Sequence, residues 1–143
     1  MLKNNLAYII ENDFITAAIA EAVLRKNLRE CQVQHWVNGQ VAFDQLVAAA
    51  EKKAGIPAFI LLDLDMPVMD GWEFLDALTL LPIAEQTCVF ILTSSIHPAD
   101  REKAKHYHVV KGFLSKPLDV SSVAWMQQAS QLAGASTGPE QYH

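Results

Sequence analysis

The amino-acid sequence predicts an α/β domain with a doubly wound, five-stranded parallel sheet and five alternating helices. Three observations support this fold class. Short apolar runs of strand length alternate with segments of helical periodicity. Two of these runs are uninterrupted, which is typical of parallel strands buried on both faces. Strict alternation of strands and helices favours a parallel sheet with helices on both faces, joined by right-handed crossovers.

The first part of the chain contains two strand–helix pairs. The apolar run Leu6–Ile10 predicts the first strand. The first helix is predicted by apolar residues that recur every four positions, at Ile15, Ile19 and Val23. Polar and apolar residues alternate over 32–37, which predicts a half-buried strand that ends at Asn38-Gly39. Helical spacing then follows at Phe43, Leu46, Val47 and Ala50.

Three further pairs follow in the second part. The continuous apolar runs 58–62 and 88–92 predict strands buried on both faces, and 111–115 predicts a short fifth strand. The third helix is predicted, after a turn at 67–71, by Phe74, Ala77, Leu78 and Leu81. The mostly polar stretch 98–107 and the segment 121–133 predict the last two helices. The composition of 134–143 predicts a flexible tail, so the predicted domain is 1–133.

Length, composition and charge exclude several classes of protein. The 143 residues fit one domain, and 51% hydrophobic with 19% charged residues exclude global disorder. No apolar run approaches the roughly 18 residues of a membrane span, and no signal peptide is visible. The net charge of −5, without a basic patch, argues against direct nucleic-acid binding. We therefore expect a cytoplasmic protein that contacts neither membrane nor nucleic acid, with Cys31 and Cys88 as free thiols.

Polar side chains follow four of the predicted strands, at the sheet edge where such folds place their sites. They are Glu11, Asn12 and Asp13, then Asp63 and Asp65, then Thr93, Ser94 and Ser95, and finally Lys116. Clustered carboxylates favour Mg²⁺, which takes one or two carboxylates and keeps several waters. The predicted chemistry is phosphoryl transfer onto Asp63, with Mg²⁺ and Lys116 neutralising charge and Thr93 bonded to a phosphoryl oxygen.

Three segments at these strand ends resemble motifs of the receiver domain of bacterial two-component response regulators. Residues 63–71 are similar to the family's Asp-x-x-Met-Pro-x-x-Asp-Gly pattern. Ile-Leu-Thr-Ser-Ser at 91–95 and Phe-Leu-Ser-Lys-Pro at 113–117 match the two later motifs in order. The resemblance covers about residues 6–133. It implies the flavodoxin-like strand order 2-1-3-4-5.

The resemblance also implies a role for each site residue. The implied roles are phosphoacceptor for Asp63, switch hydroxyl for Thr93, switch aromatic for Phe113 and phosphate contact for Lys116. The implied metal ligands are Asp63, Glu11, Asn12 and the main-chain carbonyl of Asp65. The Lys116–Pro117 peptide bond is similar to the family's cis bond. We expect Asp65 and Ser95, each two residues beyond a site residue, to modulate the lifetime of the phosphoryl group.

The loop after the first strand departs from the family pattern. The family has two adjacent acids there, and the second contacts the metal directly, whereas here Glu11 is followed by Asn12. Asparagine offers a neutral oxygen but no charge, so we expect a lowered affinity for Mg²⁺. Asp13 is either a replacement ligand or the N-cap of the first helix, and the helical pattern from Phe14 onward favours the cap.

The leading hypothesis is a phosphorylation-controlled signalling switch and not an enzyme, with no reaction beyond its own phosphorylation and dephosphorylation. The implied partners are a sensor histidine kinase or a histidine phosphotransfer protein, with output through an unidentified protein or a phosphorelay. A degenerate receiver that docks partners without phosphorylation is an alternative because of Asn12. A phosphatase of the haloacid dehalogenase type fits Asp63 and Asp65, but that family requires Thr or Val where this chain has Pro67.

Overall fold

The computed structural model describes residues 5–95 and 97–131, without the side chains of 130 and 131. The strands are β1 (Leu6–Ile10), β2 (Gln32–Trp36), β3 (Phe59–Leu62), β4 (Cys88–Thr93) and β5 (Val110–Ser115). The helices are α1 (Phe14–Asn27), α2 (Gly39–Lys52), α3 (Gly71–Thr79), α4 (Pro98–Ala104) and α5 (Val120–Gln131), with a 3₁₀ helix at Pro82–Gln86. None of these helices is long and apolar enough to cross a membrane. The predicted tail, 134–143, lies outside the described residues.

All five strands are parallel and lie in the order β2-β1-β3-β4-β5. This order confirms the predicted doubly wound fold. In β1, Ile10 pairs with Trp36 of β2 on one side and with Leu62 of β3 on the other. The chain extends the sheet in opposite directions from β1, so the ends of β1 and β3 flank the switch point where such sheets bind ligands.

The sheet separates two hydrophobic cores, because successive residues of a strand point to opposite faces. In β1, Tyr8 and Ile10 belong to the core that includes α2, α3 and α4. Ala7 and Ile9 belong to the core that includes α1 and α5. The strands β3 and β4 are buried on both faces, as their apolar runs predict. Packing on both faces fixes the spacing of the loops at the carboxyl edge of the sheet.

The buried face of α1 differs from the apolar spacing that predicted this helix. The helix buries Ala17, Ala20 and Leu24 against the sheet. Ile15 is 72% exposed and Ile19 is 43% exposed. Small alanine side chains let the helix approach the sheet, so larger apolar residues are left on its outer face. The periodicity therefore predicted the element correctly but not the face that it buries.

The helix α4 is shorter than its sequence pattern predicts. It ends at Ala104 and not at residue 107. The chain then turns, and the Tyr107 hydroxyl donates a hydrogen bond of 2.7 Å to the carboxylate of Asp76 in α3. A tertiary contact thus replaces the last helical turn. The 3₁₀ helix over Pro82–Gln86 is too short to show periodicity, and the sequence does not predict it.

Candidate functional site

Two carboxylates lie at the carboxyl edge of the sheet, one on each side of the switch point. Glu11 directly follows β1 and Asp63 directly follows β3. The residues that precede them, Ile10 and Leu62, are paired in the sheet. Glu11 is 3% exposed and Asp63 is 5% exposed. Two buried carboxylates so placed disfavour each other's ionised form unless positive charge lies nearby.

The ammonium group of Lys116 bridges these two carboxylates. Its Nζ atom lies 2.7 Å from Oε1 of Glu11 and 3.3 Å from Oδ1 of Asp63. Lys116 follows β5, and its backbone N–H donates a 3.0 Å hydrogen bond to the carbonyl of Thr93. The peptide bond between Lys116 and Pro117 is cis, as the resemblance implies. With all three side chains ionised, the group keeps one excess negative charge.

The environment raises the pKa of Asp63 to about 6. Burial is the largest cause, the charge of Glu11 adds to it, and the Lys116 ammonium group opposes both. For Lys116 itself, burial lowers the pKa, but the hydrogen bond to Glu11 and the charge of Asp63 outweigh burial and raise it. Near pH 7, Asp63 is therefore mostly ionised, and its carboxylate is an anionic oxygen group beside a positive charge.

The hydroxyl group of Thr93 lies at the end of β4, the strand between those that lead to Asp63 and Lys116. It is buried and accepts a 3.1 Å hydrogen bond from the backbone N–H of Ser95. The Ser95 hydroxyl donates a 2.5 Å hydrogen bond to Oδ2 of Asp100 in the first turn of α4. Sequence reasoning missed Asp100, although an acid just after the proline that starts a helix is a signal for its first turn.

The loop after β1 places Asn12 and Asp13 at the surface. Asp13 is the N-cap of α1, as the helical pattern predicts. Its carboxylate accepts hydrogen bonds from the Ile15 backbone N–H at 3.2 Å and the Thr16 hydroxyl at 2.6 Å. The hydrogen bond from Thr16 is the largest cause of the lowered pKa of Asp13. Both carboxylate oxygens thus accept hydrogen bonds from the first turn of α1. A metal-ligand role for Asp13 stays a prediction.

Asp65 and Phe113 lie in contrasting environments. Asp65 is exposed in the loop after β3, two residues beyond Asp63. The Phe113 ring is buried within the core on the α4 side of the sheet. The guanidinium carbon of Arg101 lies 5.0 Å from the centre of this ring. The modulating role of Asp65 and the switch role of Phe113 stay predictions.

A close backbone contact positions the loop that follows Asp63. The N–H of Gly71, the first residue of α3, donates a 3.0 Å hydrogen bond to the carbonyl of Leu64. A Cβ atom at Gly71 would lie 2.7 Å from the carbonyl oxygen of Asp63 and 2.8 Å from Cα of Leu64. Asp70 caps α3 in a reciprocal capping box with Glu73. The glycine of the motif therefore lets α3 begin directly against the backbone of Asp63.

The Gly71→Ala substitution should destabilise the fold and slow any reaction at Asp63. Its Cβ meets backbone atoms, which cannot rotate away, so we expect a loss of about 2 kcal/mol in the free energy of unfolding. Gly55→Ala is the control, because its Cβ would meet no atom within 4 Å, so its loss should come only from the positive φ of 78° and should be smaller. Urea unfolding of both variants checks this, and wild-type stability for Gly71→Ala would contradict it.

Comparison with known families decides what kind of domain this is. The sequence model of the response regulator receiver domain matches residues 7–126, well over half of the chain. The chain belongs to the response regulator receiver family. This membership confirms the resemblance seen in the sequence motifs. It supports the receiver hypothesis over the haloacid dehalogenase-type phosphatase.

Solved structures of receiver proteins share the fold over most of the chain. A two-component response regulator from Cytophaga hutchinsonii has a TM-score of 0.83 and 25% identity, covering 91% of this chain and 98% of that one. A response regulator receiver protein from Dyadobacter fermentans has a TM-score of 0.74 and 24% identity, covering 88% and 97%. The Vibrio cholerae chemotaxis protein CheY4 has a TM-score of 0.71 and 21% identity, covering 87% and 97%. No curated protein matches the chain significantly.

Family membership gives this receiver a general function in two-component signalling. Receiver domains are signalling phosphoacceptors and generally not true enzymes. They bind Mg²⁺ in general, and they interact with histidine kinases or phosphotransfer proteins.

Proposed function

We propose that this receiver accepts a phosphoryl group on Asp63 from the phosphohistidine of a sensor histidine kinase or a histidine phosphotransfer protein. One observation carries the proposal: the Asp63 carboxylate is buried at the carboxyl edge of the sheet, 3.3 Å from the Lys116 ammonium group. An ionised carboxylate beside a fixed cation can attack phosphorus while the cation neutralises the phosphoryl oxygens. Output passes through protein contact or a phosphorelay.

The proposed transfer exchanges one bond to phosphorus for another. An Asp63 oxygen attacks the phosphorus atom, and the phosphorus–nitrogen bond of the donor breaks as the new phosphorus–oxygen bond forms. The electron pair stays on the imidazole nitrogen, which takes up a proton. Lys116 and the Thr93 hydroxyl then donate hydrogen bonds to phosphoryl oxygens. The Thr93 hydroxyl lies at the end of β4, the strand next to the one that leads to Asp63.

The donor set at this edge fits a divalent cation. Glu11 and Asp63 bring two negative charges against one positive charge of Lys116. Asn12 and the main-chain carbonyl of Asp65 are oxygen donors in the adjoining loops. Among the described residues, no three or more His, Cys, Asp or Glu side chains form a metal-binding cluster. The two carboxylates and two neutral oxygen donors at this edge suit Mg²⁺, which needs one or two carboxylates and keeps several waters.

The proposed Mg²⁺ would neutralise phosphoryl oxygens during transfer. Among structures of this fold is the Mn²⁺-bound form of the response regulator Rcp1. It has a TM-score of 0.70 and 20% identity, covering 92% of this chain and 93% of that one. Its bound ion supports a divalent-cation site in this fold.

Incubation with acetyl phosphate and Mg²⁺, followed by intact mass measurement, tests the proposed function. We expect the chain to gain the mass of one phosphoryl group, and the gain should disappear when EDTA removes the metal. Borohydride reduces an acyl phosphate to an alcohol, so peptide mapping after reduction should locate the change at Asp63. No gain in mass would overturn the proposal, and a change mapped to Asp65 would identify Asp65 as the phosphoacceptor instead of Asp63.

The lifetime of the acyl phosphate should depend on Asp65 and Ser95. Asp65 is exposed beside the acceptor, and the backbone of Ser95 holds the Thr93 hydroxyl. Asp65→Asn and Ser95→Ala should each change the lifetime several-fold, which corresponds to about 1 kcal/mol in the hydrolysis barrier. Ser94→Ala is the matched control, since Ser94 is an exposed neighbour in the same loop. Decay of the phosphoryl mass over time measures this, and unchanged decay in both variants would exclude these residues.

The uncharged side chain of Asn12 favours a second candidate function. A receiver without the usual charge at this position would bind Mg²⁺ poorly and could serve as a docking module that needs no phosphorylation. Mg²⁺ titration separates the two functions. Absence of both Mg²⁺ binding and phosphoryl uptake would favour the docking module, whereas measurable binding with uptake on Asp63 supports the phosphoacceptor.

A further inference from the structure

The last two residues of β2 hold the main chain of Glu11, the first residue after β1. The Glu11 N–H donates a 3.0 Å hydrogen bond to the carbonyl of Trp36. The Glu11 carbonyl lies 2.6 Å from Nε2 of His35, whose ring is half-buried. Because a carbonyl oxygen can only accept, Nε2 carries the hydrogen of this bond. Both main-chain polar groups of Glu11 are therefore bonded to β2.

The ring of His35 also contacts the far end of the loop that joins β1 to α1. Its centroid lies 5.5 Å from that of the Phe14 ring, and the two planes meet at 89°, which is an edge-to-face arrangement. Phe14 is the first residue of α1 and is 68% exposed, so core packing does not account for its large side chain. Glu11 begins the loop 11–13, and Phe14 follows it. A single side chain of β2 thus ties together both ends of this loop.

The carboxylate of Glu11 connects this loop to the site. Its Oε1 atom lies 2.7 Å from Nζ of Lys116, and its Oε2 atom accepts a 3.1 Å hydrogen bond from the backbone N–H of Asp13. The same Nζ atom lies 3.3 Å from Oδ1 of Asp63. The placement of the ammonium group beside Asp63 therefore depends on where the backbone of Glu11 lies. Of the partners of Glu11 named above, the His35 ring can be removed by substitution without changing a backbone group or a charged side chain of the site.

We infer that His35 is a positioning residue for phosphoryl transfer, because it ties the loop 11–13 to β2 and so keeps the Glu11 carboxylate against Lys116. The inference rests on the proposed phosphorylation of Asp63. Without the His35 bond, the carbonyl of the buried Glu11 loses its partner and turns toward water. The carboxylate then shifts with the loop, and the Lys116 ammonium group is no longer held where it neutralises the phosphoryl oxygens. Small displacements of reacting groups lower a rate strongly.

The first test measures how fast the full chain gains phosphoryl mass from acetyl phosphate and Mg²⁺. His35→Leu removes the hydrogen-bond donor and keeps a side chain of similar size, so transfer should become slower by about tenfold. His35→Gln keeps an N–H donor that can reach the Glu11 carbonyl, so it should restore most of the rate. Rescue by an amide would not occur if the His35 ring acted only by filling space.

A destabilised variant of the same strand separates positioning from loss of stability. Val33 lies two residues before His35, on the same face of β2, and packs against the core on the α1 side. Val33→Ala should lower the free energy of unfolding measured in urea. It should nevertheless keep the wild-type rate of phosphorylation, because it leaves the bond between His35 and Glu11 in place.

Amide hydrogen exchange gives a second readout, which needs neither metal nor phosphate. The amides of Glu11 and Asp13 should exchange faster in His35→Leu than in His35→Gln, beyond any increase shared by the amides of β3. Phe14→Ala removes only the ring contact and should cause a smaller increase, whereas Ile15→Ala, which changes a neighbour that is 72% exposed, should cause none. If His35→Leu does not fold, this second pair decides alone, and equal exchange in the two variants would overturn the inference.

The outcomes separate this inference from the function on which it rests. If the wild-type chain gains no phosphoryl mass, the proposed function fails, and the positioning role of His35 fails with it. If the wild type is phosphorylated, the positioning role alone is overturned by a wild-type rate in His35→Leu, or by His35→Gln or Val33→Ala being equally slow. A slow His35→Leu whose rate is restored in His35→Gln, with faster exchange at Glu11 and Asp13, would support the inference.

Discussion

Asp63→Asn should take up no phosphoryl group and, in metal-free buffer near pH 7.5, should unfold at a higher temperature than the wild-type chain. Loss of uptake follows because the amide is not a nucleophile toward phosphorus. The gain in stability follows from the charges at the site. Glu11, Asp63 and Lys116 together keep one excess negative charge, and the substitution removes it. The amide oxygen can still accept a hydrogen bond from Lys116.

The pH dependence of stability follows from the raised pKa of Asp63. This pKa is about 6 in the folded chain, against an ordinary value of 3.8. Ionisation of Asp63 therefore opposes folding. The protonated carboxyl group contributes fully to the free energy of unfolding below about pH 4, and this contribution is lost as the pH rises through 6. Part of the charge interaction is screened by solvent, so we expect the Asn variant to be more stable by about 1 to 2 kcal/mol above pH 6.5.

Thermal unfolding between pH 4 and pH 8 in EDTA measures this difference. The advantage of Asp63→Asn should be small at pH 4, grow through pH 5 and 6, and then stay constant. Asp65→Asn is the control, because Asp65 is an exposed acid of the same loop and its substitution should leave the melting temperature nearly unchanged. Equal or lower stability of Asp63→Asn at pH 7.5 would contradict the charge argument, and phosphoryl mass on this variant would place the acceptor elsewhere.

The fold could be predicted because its strands carry strong local signals. The uninterrupted apolar runs of β3 and β4 need burial on both faces, which only a central position in a covered sheet provides. The buried face of α1 could not be predicted in the same way. Ile15 and Ile19 have the spacing of a core stripe, yet the close approach of the helix depends on Ala17 and Ala20, whose small size carries little periodic signal.

The candidate site was predictable as a set of residues but not as a set of contacts. Parallel strands bring their carboxyl ends to one edge, so Asp63, Thr93 and Lys116 could be grouped from the sequence alone. The shorter contact of Lys116 with Glu11 than with Asp63 depends on the order of the strands and on lysine side-chain packing. The contact of Arg101 with Phe113 joins separate elements, and no local pattern in the sequence marks it.

The loop after β1 is where the sequence departs from its family and where one substitution should have a large effect. Asn12 is exposed next to the buried Glu11, and it offers the metal a neutral oxygen. A carboxylate at that position would add an attraction of about 4 kcal/mol per unit charge at 4 Å and an effective dielectric constant of 20. Much of this is offset because both the carboxylate and Mg²⁺ give up hydration.

Asn12→Asp should therefore tighten Mg²⁺ binding by about one to two orders of magnitude, or about 1.4 to 2.8 kcal/mol, and should accelerate phosphorylation by acetyl phosphate. Asp13→Asn is the matched control, because asparagine caps a helix as well as aspartate does, so the change removes the charge and keeps one of the two accepting oxygens. The Asp13 carboxylate already serves the first turn of α1, so this control should leave the Mg²⁺ affinity nearly unchanged. Calorimetric titration of both variants decides the matter. An unchanged affinity in Asn12→Asp would remove this loop from the metal site, and a weakened affinity in Asp13→Asn would make Asp13 a ligand as well as a cap.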